Sequence, residues 1–405
     1  MKKIAYLLSA LSLLAAGFLA GSCEKAAMTD PGHLIYFGIT APYARVGGIS
    51  FTINQITHEI TNTDPIPAGM DLTGVKPYFV TNDAAAEVFV KGTRQESGVT
   101  RQDLSGPVEY EVVSGASSVK YTVTLTQSAF AQTQVAVKLM KQSPLLMNEI
   151  EEEKETWLSE DARLTEVVFK TADGYNWRLS VIEADLAAGR LGVRPLVSGG
   201  LASAPADGAE WPVSTTLAQA QAAESAGVKV LAAVSGDEQV SGTNAPSGAM
   251  MMDGTSWKTA FSGEANGFFG LRKDGRLSVG TAANYLTVLE KLEQAIGGGP
   301  VLLLDGQASS SLEKTSRANR VAAGTNTYDL QTLYLISLEA VGGSAGPTLP
   351  EAAEILLDLG AGHAVCLQGG AKAAFVVKDG GALRVTNRSE ADLTAVTNSL
   401  ALIVK

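Results

Sequence analysis

Ala364-Val365-Cys366-Leu367-Gln368-Gly369-Gly370-Ala371-Lys372 joins an apolar run to a pair of glycines near the end of the chain. The run predicts a buried strand, because consecutive apolar residues that end at turn formers suit a strand covered on both faces. Gly369 and Gly370 carry no Cβ, so the backbone at the strand's exit can approach a ligand closely. Such a loop can hold a phosphate or a sugar. Its tip lacks a carboxylate or hydroxyl, offering instead the amide of Gln368 and the ammonium of Lys372.

Upstream of this loop, strands alternate with helical segments through 165–170, 178–182, 217–226, 228–234, 285–295, 301–304, 333–336, 349–359 and 363–367. That mixture predicts an α+β or α/β domain over 163–405 with one sheet-based core. Residues 128–162 read as a partly helical connector. From Lys138 to Asp161 the spacing of Leu145, Leu146, Ile150, Trp157 and Leu158 suits an amphipathic helix, with Glu149 to Glu153 as its solvated face. Residues 34–127 differ again, with short alternating runs such as Val108-Glu109-Tyr110-Glu111-Val112 and Lys120-Tyr121-Thr122-Val123-Thr124 between Gly, Asn, Asp and Pro turns. These predict an all-β sandwich, so the fold class is multidomain, β first and α+β second. The order from Gly92 through Pro107 to Tyr121-Thr122-Val123 resembles the Ig-like modules of bacterial surface lipoproteins, which implies a spacer role. Tyr110 and Tyr121 are expected to pack the strands.

At the start of the chain, Lys2 and Lys3 precede an apolar stretch from Ile4 to Leu19, and small residues lead to Cys23. This is the layout of a secretory signal over 1–22, and the cysteine resembles that of a bacterial lipobox, with Leu19 one place further away than is usual. Cleavage at an ordinary signal site, or an uncleaved anchor, are the alternatives. The apolar stretch is short for a bilayer span. A lipid on Cys23 would tether the chain through residues 23–33 to a membrane, with the outer membrane or cell surface as the expected location. Cys366 is then the other cysteine, and no intramolecular disulfide is available. Formal net charge is -11, and losing Lys2 and Lys3 deepens it. Such a surface repels nucleic acid and favours neutral glycans, or small anions held by local cations. No His-x-x-His or Cys-x-x-Cys spacing points to a metal, and no cofactor is expected.

Ordered landmarks run through the second domain: Val228 to Ser235-Gly236-Asp237, Pro246-Ser247-Gly248, Met252-Asp253-Gly254, Phe268-Phe269-Gly270, Gly299-Pro300-Val301, Asn319-Arg320-Val321, Thr348-Leu349-Pro350-Glu351 and Gln368-Gly369-Gly370. The series resembles the phosphodiester glycosidase family over roughly 165–405. The resemblance implies a mixed-sheet fold and action on sugar-1-phosphodiesters, as in the member that removes N-acetylglucosamine from a phosphodiester. Family members usually carry Asn-Gly-Asp-Phe-Phe, Arg-Thr and Asp-Gly-Gly-Gly-Ser at three of these points. Here Gly236 and Asp237 stand beside Ser235, Glu238 and Gln239; Arg320 precedes Val321; and Gln368, Ala371 and Lys372 replace the last motif's acid, third glycine and serine.

Hydrolysis of such a bond needs a carboxylate to stabilise an oxocarbenium-like centre or activate water, and donors for the phosphate. A glutamine amide can do neither carboxylate task. Asp237 and Glu238 are the candidate catalytic pair, although neighbours on a strand face opposite ways and only a loop or bulge lets both reach one substrate. Ser235, Gly236, Arg320, Gln368, Gly369, Gly370 and Lys372 are the candidate ligand-binding residues. Each has a plainer alternative: a structural ion pair for Arg320, a solvated cation for Lys372, a turn for Asp237, and exposed loop polarity for Glu238. His363 reads as a structural histidine and Cys366 as a small buried hydrophobe. Two classes stay open, an altered hydrolase at the cell surface and a relative that binds glycans or sugar phosphates without turnover.

Overall fold

The computed structural model describes residues 32–41, 51–63, 66, 72–127 and 134–405. The chain is mostly β, with few helices. In the N-terminal body, strands Leu34–Ala41 and Lys76–Thr81 pair antiparallel. A six-stranded sheet runs in the order 51–54, 59–62, 117–124, 108–114, 87–90 and 93–95. Alternation along Val108–Ser114 and Ser117–Thr124 sends every second side chain inward. Both sheets contribute to one core that includes Phe37, Ile39, Val88, Tyr110, Val112, Tyr121 and Val123. Tyr110 and Tyr121 are fully buried, as strand packing requires.

The larger body is built from three sheets in which every described strand pair is antiparallel. That departs from the α/β alternative, which needs parallel strands joined by helical crossovers. An eight-stranded sheet runs in the order 307–308, 301–304, 363–369, 320–325, 332–340, 176–185, 162–170 and 149–159. One five-stranded sheet orders 191–197, 398–404, 229–235, 375–379 and 382–385; the other orders 255–258, 250–252, 292–298, 267–272 and 277–281.

Two helices, Gln134–Gln142 and Leu349–Leu359, pack on one face of the large sheet through a cluster that includes Val135, Leu139, Trp177, Ile336 and Leu356. The second helix starts at a capping box, in which Thr348 accepts from the Glu351 amide while the Glu351 carboxylate accepts from that of Thr348, 2.7 Å away. The other face of the large sheet meets both five-stranded sheets, with Leu164, Val321 and Leu367 against Val234, Phe375, Leu400, Phe269 and Ile296. Helix Thr216–Ser225 covers the outer side of the first five-stranded sheet. No described helix is long and apolar enough to cross a membrane.

Glu149–Ser159 is a strand and not the expected helix. It forms an edge of the large sheet, paired only with Ala162–Lys170. An edge strand has one neighbour, so its acids reach solvent and cations: Glu151 pairs with Lys170 at 2.8 Å and Lys154 with Asp379 at 3.7 Å. Charge along an edge also blocks further strand addition. The residues read as a connector therefore lie within the larger body, from helix Gln134–Gln142 onward.

Candidate active site and its glycine cradle

The three sheets meet where strands Lys229–Ser235, Leu292–Gly298 and His363–Gly369 end, and glycines let their backbones close together. A Cβ on Gly236 would lie 2.3 Å from Asn398 Oδ1, one on Gly297 would lie 2.5 Å from Gly248 Cα, and one on Gly298 would lie 2.6 Å from Cys366 O. None of these positions tolerates a side chain without backbone movement.

Asp237 sits inside this cradle, fully buried. Its Oδ1 accepts from the Glu238 amide at 2.8 Å, its Oδ2 accepts from the Gly248 amide, and its own amide donates to Asn398 Oδ1 at 2.8 Å. Burial pushes its carboxyl from 3.8 up to about 7, against the pull of those two amides and the Lys258 charge. The Lys258 ammonium donates to the carbonyls of Pro246, Ser247 and Ala260 at 2.7, 2.9 and 3.0 Å, so it pins the loop that covers Asp237. Both Asp237 oxygens are thus occupied by the fold. Ser235 is likewise spent: its hydroxyl accepts from the Ala374 amide at 3.0 Å in a fully buried position.

Glu238 lies past the strand's end and faces solvent. The strand stops at Ser235, so the alternation argument does not govern the pair, yet one carboxylate is sealed and the other is open. Gln368 is buried beside Glu238. With its amide nitrogen toward the carboxylate, Gln368 donates to both Glu238 oxygens, at 3.1 Å to Oε2. The opposite orientation offers two neutral contacts, to Asp237 O and from the Gly369 amide, each at 3.3 Å. A hydrogen bond to a charged acceptor is roughly twice as strong as a neutral one, which favours the first orientation. Lys372 donates to Gln239 Oε1, and Gln239 donates to Thr397 Oγ1 at 3.0 Å, so the two loops are laced together.

Arg320 begins its strand in register with Gly369. Its guanidinium donates to Ser316 O at 3.0 Å, and its Nε is buried with no hydrogen-bond partner. Among the described residues no acid pairs with Arg320 within 4.0 Å. A Cβ on Gly369 would lie 3.6 Å from Arg320 Nη1, so the absence of a side chain there keeps the guanidinium open on that side. The Gly370 amide is not available to a ligand, because it donates to Asn319 O at 2.9 Å. Arg388 steadies the same turn, donating to Ala371 O at 2.6 Å and Gly370 O at 3.3 Å while pairing with Glu339 at 2.9 Å. Burial raises the Glu339 carboxyl, and Arg388 pulls it back.

The expected residues are therefore brought to one place, in two roles. Ser235, Gly236, Asp237 and Gly370 build the frame, whereas Glu238, Gln368, Gly369, Arg320 and Lys372 lie beside it at the strand ends. Cys366 is buried beneath, its thiol pushed up to about 11 by burial, with Arg320 and Glu238 both acting on it electrostatically. His363 lies on the far end of the same strand, where its Nδ1 accepts from the Asp305 amide at 3.3 Å. Cys23 falls outside the described residues. Among those described, no three His, Cys, Asp or Glu side chains gather as a metal site. Sequence reasoning missed Asn398, Lys258 and Arg388. The polar triplet Thr397-Asn398-Ser399, breaking an apolar run, was a readable signal for the first.

A family model described as phosphodiester glycosidase matches residues 228–403, and one described as SGBP, N-terminal, matches residues 43–125. No curated protein matches the chain. Among solved structures, a hypothetical protein from Synechocystis is similar at 13% identity over 74% of each chain, with a TM-score of 0.46. The catalytic domain of zebrafish N-acetylglucosamine-1-phosphodiester alpha-N-acetylglucosaminidase, auto-inhibited by its pro-peptide, is similar at 19% identity. That match covers 63% of this chain and 88% of the zebrafish chain, with a TM-score of 0.46. Together the two family matches point to a glycan-related function.

Proposed function

We propose that this chain is a lipid-anchored surface protein whose larger domain holds sugar phosphodiesters, or related anionic glycans, around Arg320 and Glu238 without the turnover usual for phosphodiester glycosidases. The observation that carries this reading is the contrast between two groups. Arg320 is a guanidinium with no acid partner, ready for an anion, whereas Asp237 has both oxygens committed to backbone amides. Glycoside hydrolysis by the usual route uses two carboxyl groups flanking the bond. Only Glu238 is open here, and Gln368 beside it holds an amide where the resemblance expects an acid. Arg320 can take a phosphate through two parallel hydrogen bonds, and the open side at Gly369 admits it.

The leader and Cys23 support export and lipid attachment, and the alternating N-terminal body supports an Ig-like spacer. Loss of acyl labelling in Cys23→Ala is the expected outcome for the anchor; labelling that persists would remove it.

For the site, calorimetric titration with a UDP-linked N-acetylglucosamine phosphodiester should show binding that falls about 10- to 100-fold in Arg320→Ala, the scale of hydrogen bonds to a charged group. No sugar should be released. Release by the native chain, abolished in Glu238→Gln, would replace binding with hydrolysis by a single carboxylate. Absence of both binding and release would remove the sugar-phosphodiester reading.

A further inference from the structure

A second arginine anchors the loop that leads into Arg320. Residues 309–319 connect strand Gln307–Ala308, at the edge of the large sheet, to strand Arg320–Thr325 inside it. Leu312 is buried in the core between the helices and the sheet, but Glu313, Lys314, Thr315 and Ser316 are exposed. An exposed stretch of this kind opens easily unless its ends are fixed. Arg317 fixes the end nearest the site. Its guanidinium makes two parallel hydrogen bonds to Glu351, at 2.9 Å to Oε2 and 3.0 Å to Oε1, and another to Gly346 O at 3.1 Å. It also lies over the Tyr175 ring, with Cζ 4.2 Å from the centroid, and Tyr175 is stacked on Trp177 with planes at 9°. Paired bonds to a carboxylate together with an aromatic contact are available to arginine and not to lysine.

Glu351 is a firm partner because the helix start already holds it: its Oε2 accepts from the Thr348 amide at 2.7 Å and the Thr348 hydroxyl at 2.9 Å. Within the exposed stretch, the Glu313 carboxylate accepts from the amides of Thr315 and Ser316 at 2.7 and 2.6 Å. Ser316 is thus held at its own amide by Glu313 and through the next residue by Arg317, which gives its carbonyl a fixed direction. That carbonyl is the acceptor to which the Arg320 guanidinium donates at 3.0 Å, while the Arg320 Nε is buried with no partner. Pairing with Gly369 places the Arg320 backbone, but its long side chain keeps many rotamers unless something at the tip selects one. Ser316 O selects it, and Arg317 places Ser316.

We infer that Arg317 is a positioning residue for anion binding: it orders the Arg320 guanidinium through Ser316 before a ligand arrives. Its own guanidinium is committed to Glu351, Gly346 and Tyr175, so it acts through Arg320 and does not serve as a second phosphate ligand. Ordering one long side chain in advance is worth about 2- to 10-fold in affinity. The inference rests on the sugar-phosphodiester reading for the identity of the ligand, whereas the ordering of Arg320 is a property of the chain alone.

The test compares the native full chain with Arg317→Lys, which keeps the charge, and Glu351→Gln, which keeps the capping box and loses the ion pair. One readout needs no ligand: solvent exchange of the Arg320 Nε–H, followed by NMR and assigned by its disappearance in Arg320→Ala. Exchange should quicken about 10-fold in both variants, the scale of one lost anchor on a local opening. The other readout is calorimetric titration with the UDP-linked N-acetylglucosamine phosphodiester. Arg317→Lys should weaken binding about 2- to 10-fold when Arg320 is present, and by less than about 2-fold in an Arg320→Ala chain, because its effect passes through Arg320. Exchange at the native rate in both variants, or an equal loss of affinity with and without Arg320, would overturn the inference and leave Arg317 as a staple for the loop alone. If the native chain binds no phosphodiester, the ligand reading fails, and the exchange rates by themselves decide whether Arg317 orders Arg320.

Discussion

Replacing Asp237 with asparagine removes the charge from the centre of the glycine cradle and keeps the shape. In the unfolded chain this carboxyl ionises near 3.8, while burial holds it at about 7 in the native state. Between those values the unfolded chain has released a proton that the native chain keeps. The unfolded state therefore binds fewer protons, and native stability falls as pH rises, by about 1.4 kcal/mol per pH unit, levelling above pH 7. From pH 5 to pH 7 the loss is ~2 kcal/mol, because the native carboxyl is itself half ionised at the upper end. Asparagine does not ionise, but its NH2 must face either the Glu238 or the Gly248 amide, donor against donor, at about 1–3 kcal/mol. The two chains should thus be of similar stability near pH 5, and Asp237→Asn should be more stable by about 1–3 kcal/mol at pH 8. Urea unfolding followed by tryptophan fluorescence reads the relevant body, because Trp157, Trp177, Trp211 and Trp257 all lie in it. A stability difference that stays flat from pH 5 to pH 8, or that grows in favour of the native chain, would refute the assignment of Asp237 as a buried, proton-holding frame residue.

Other parts of the frame give further expectations. Gly297→Ala forces a Cβ to 2.5 Å from Gly248 Cα, a backbone clash, and should cost about 1–3 kcal/mol of overpacking strain in a thermal melt and weaken phosphodiester binding; a melt like the native one would show that the cradle gives way freely. Arg388→Met removes the ion pair of the Glu339 carboxylate, which keeps the Asn387 amide as a donor, and frees the carbonyls of Gly370 and Ala371, so stability should drop by at most about 3–5 kcal/mol, with partial recovery in Arg388→Met/Glu339→Gln; equal loss in the single and double variants would refute the pairing. In a Cys23→Ser chain, Ellman's reagent should label Cys366 only after denaturation, because the thiol is buried and its proton is held up to about 11; rapid labelling of the native chain would mean the strand end opens to solvent.

Much of the site was legible because glycines and polar residues at strand ends carry local signals. Gly236-Asp237, Arg320 and Gln368-Gly369-Gly370 sit in separate sheets or strands, yet each borders an apolar run, and each border lies at the junction. What the local pattern does not encode is the state of a side chain once partners from afar arrive. Asp237 is sealed by Gly248 and Asn398, eleven and 161 positions away, and Arg320 is open because no distant acid meets it. The strand Glu149–Ser159 was misread for a related reason. Its acids looked like one face of a helix, whereas an edge strand also exposes charge and needs only partial burial. The shortage of helix in the larger body likewise follows from antiparallel pairing, which joins strands by turns and has no need of crossovers.

Asn398 belongs to the last strand, yet that strand runs inside its sheet, between Leu191–Val197 and Lys229–Ser235. Both neighbours lie far earlier in the sequence and do not pair with each other, so this strand bridges them, and from that bridge Asn398 reaches the Asp237 amide. Without that strand the two segments share no ladder, and the Asp237 amide loses its Asn398 partner.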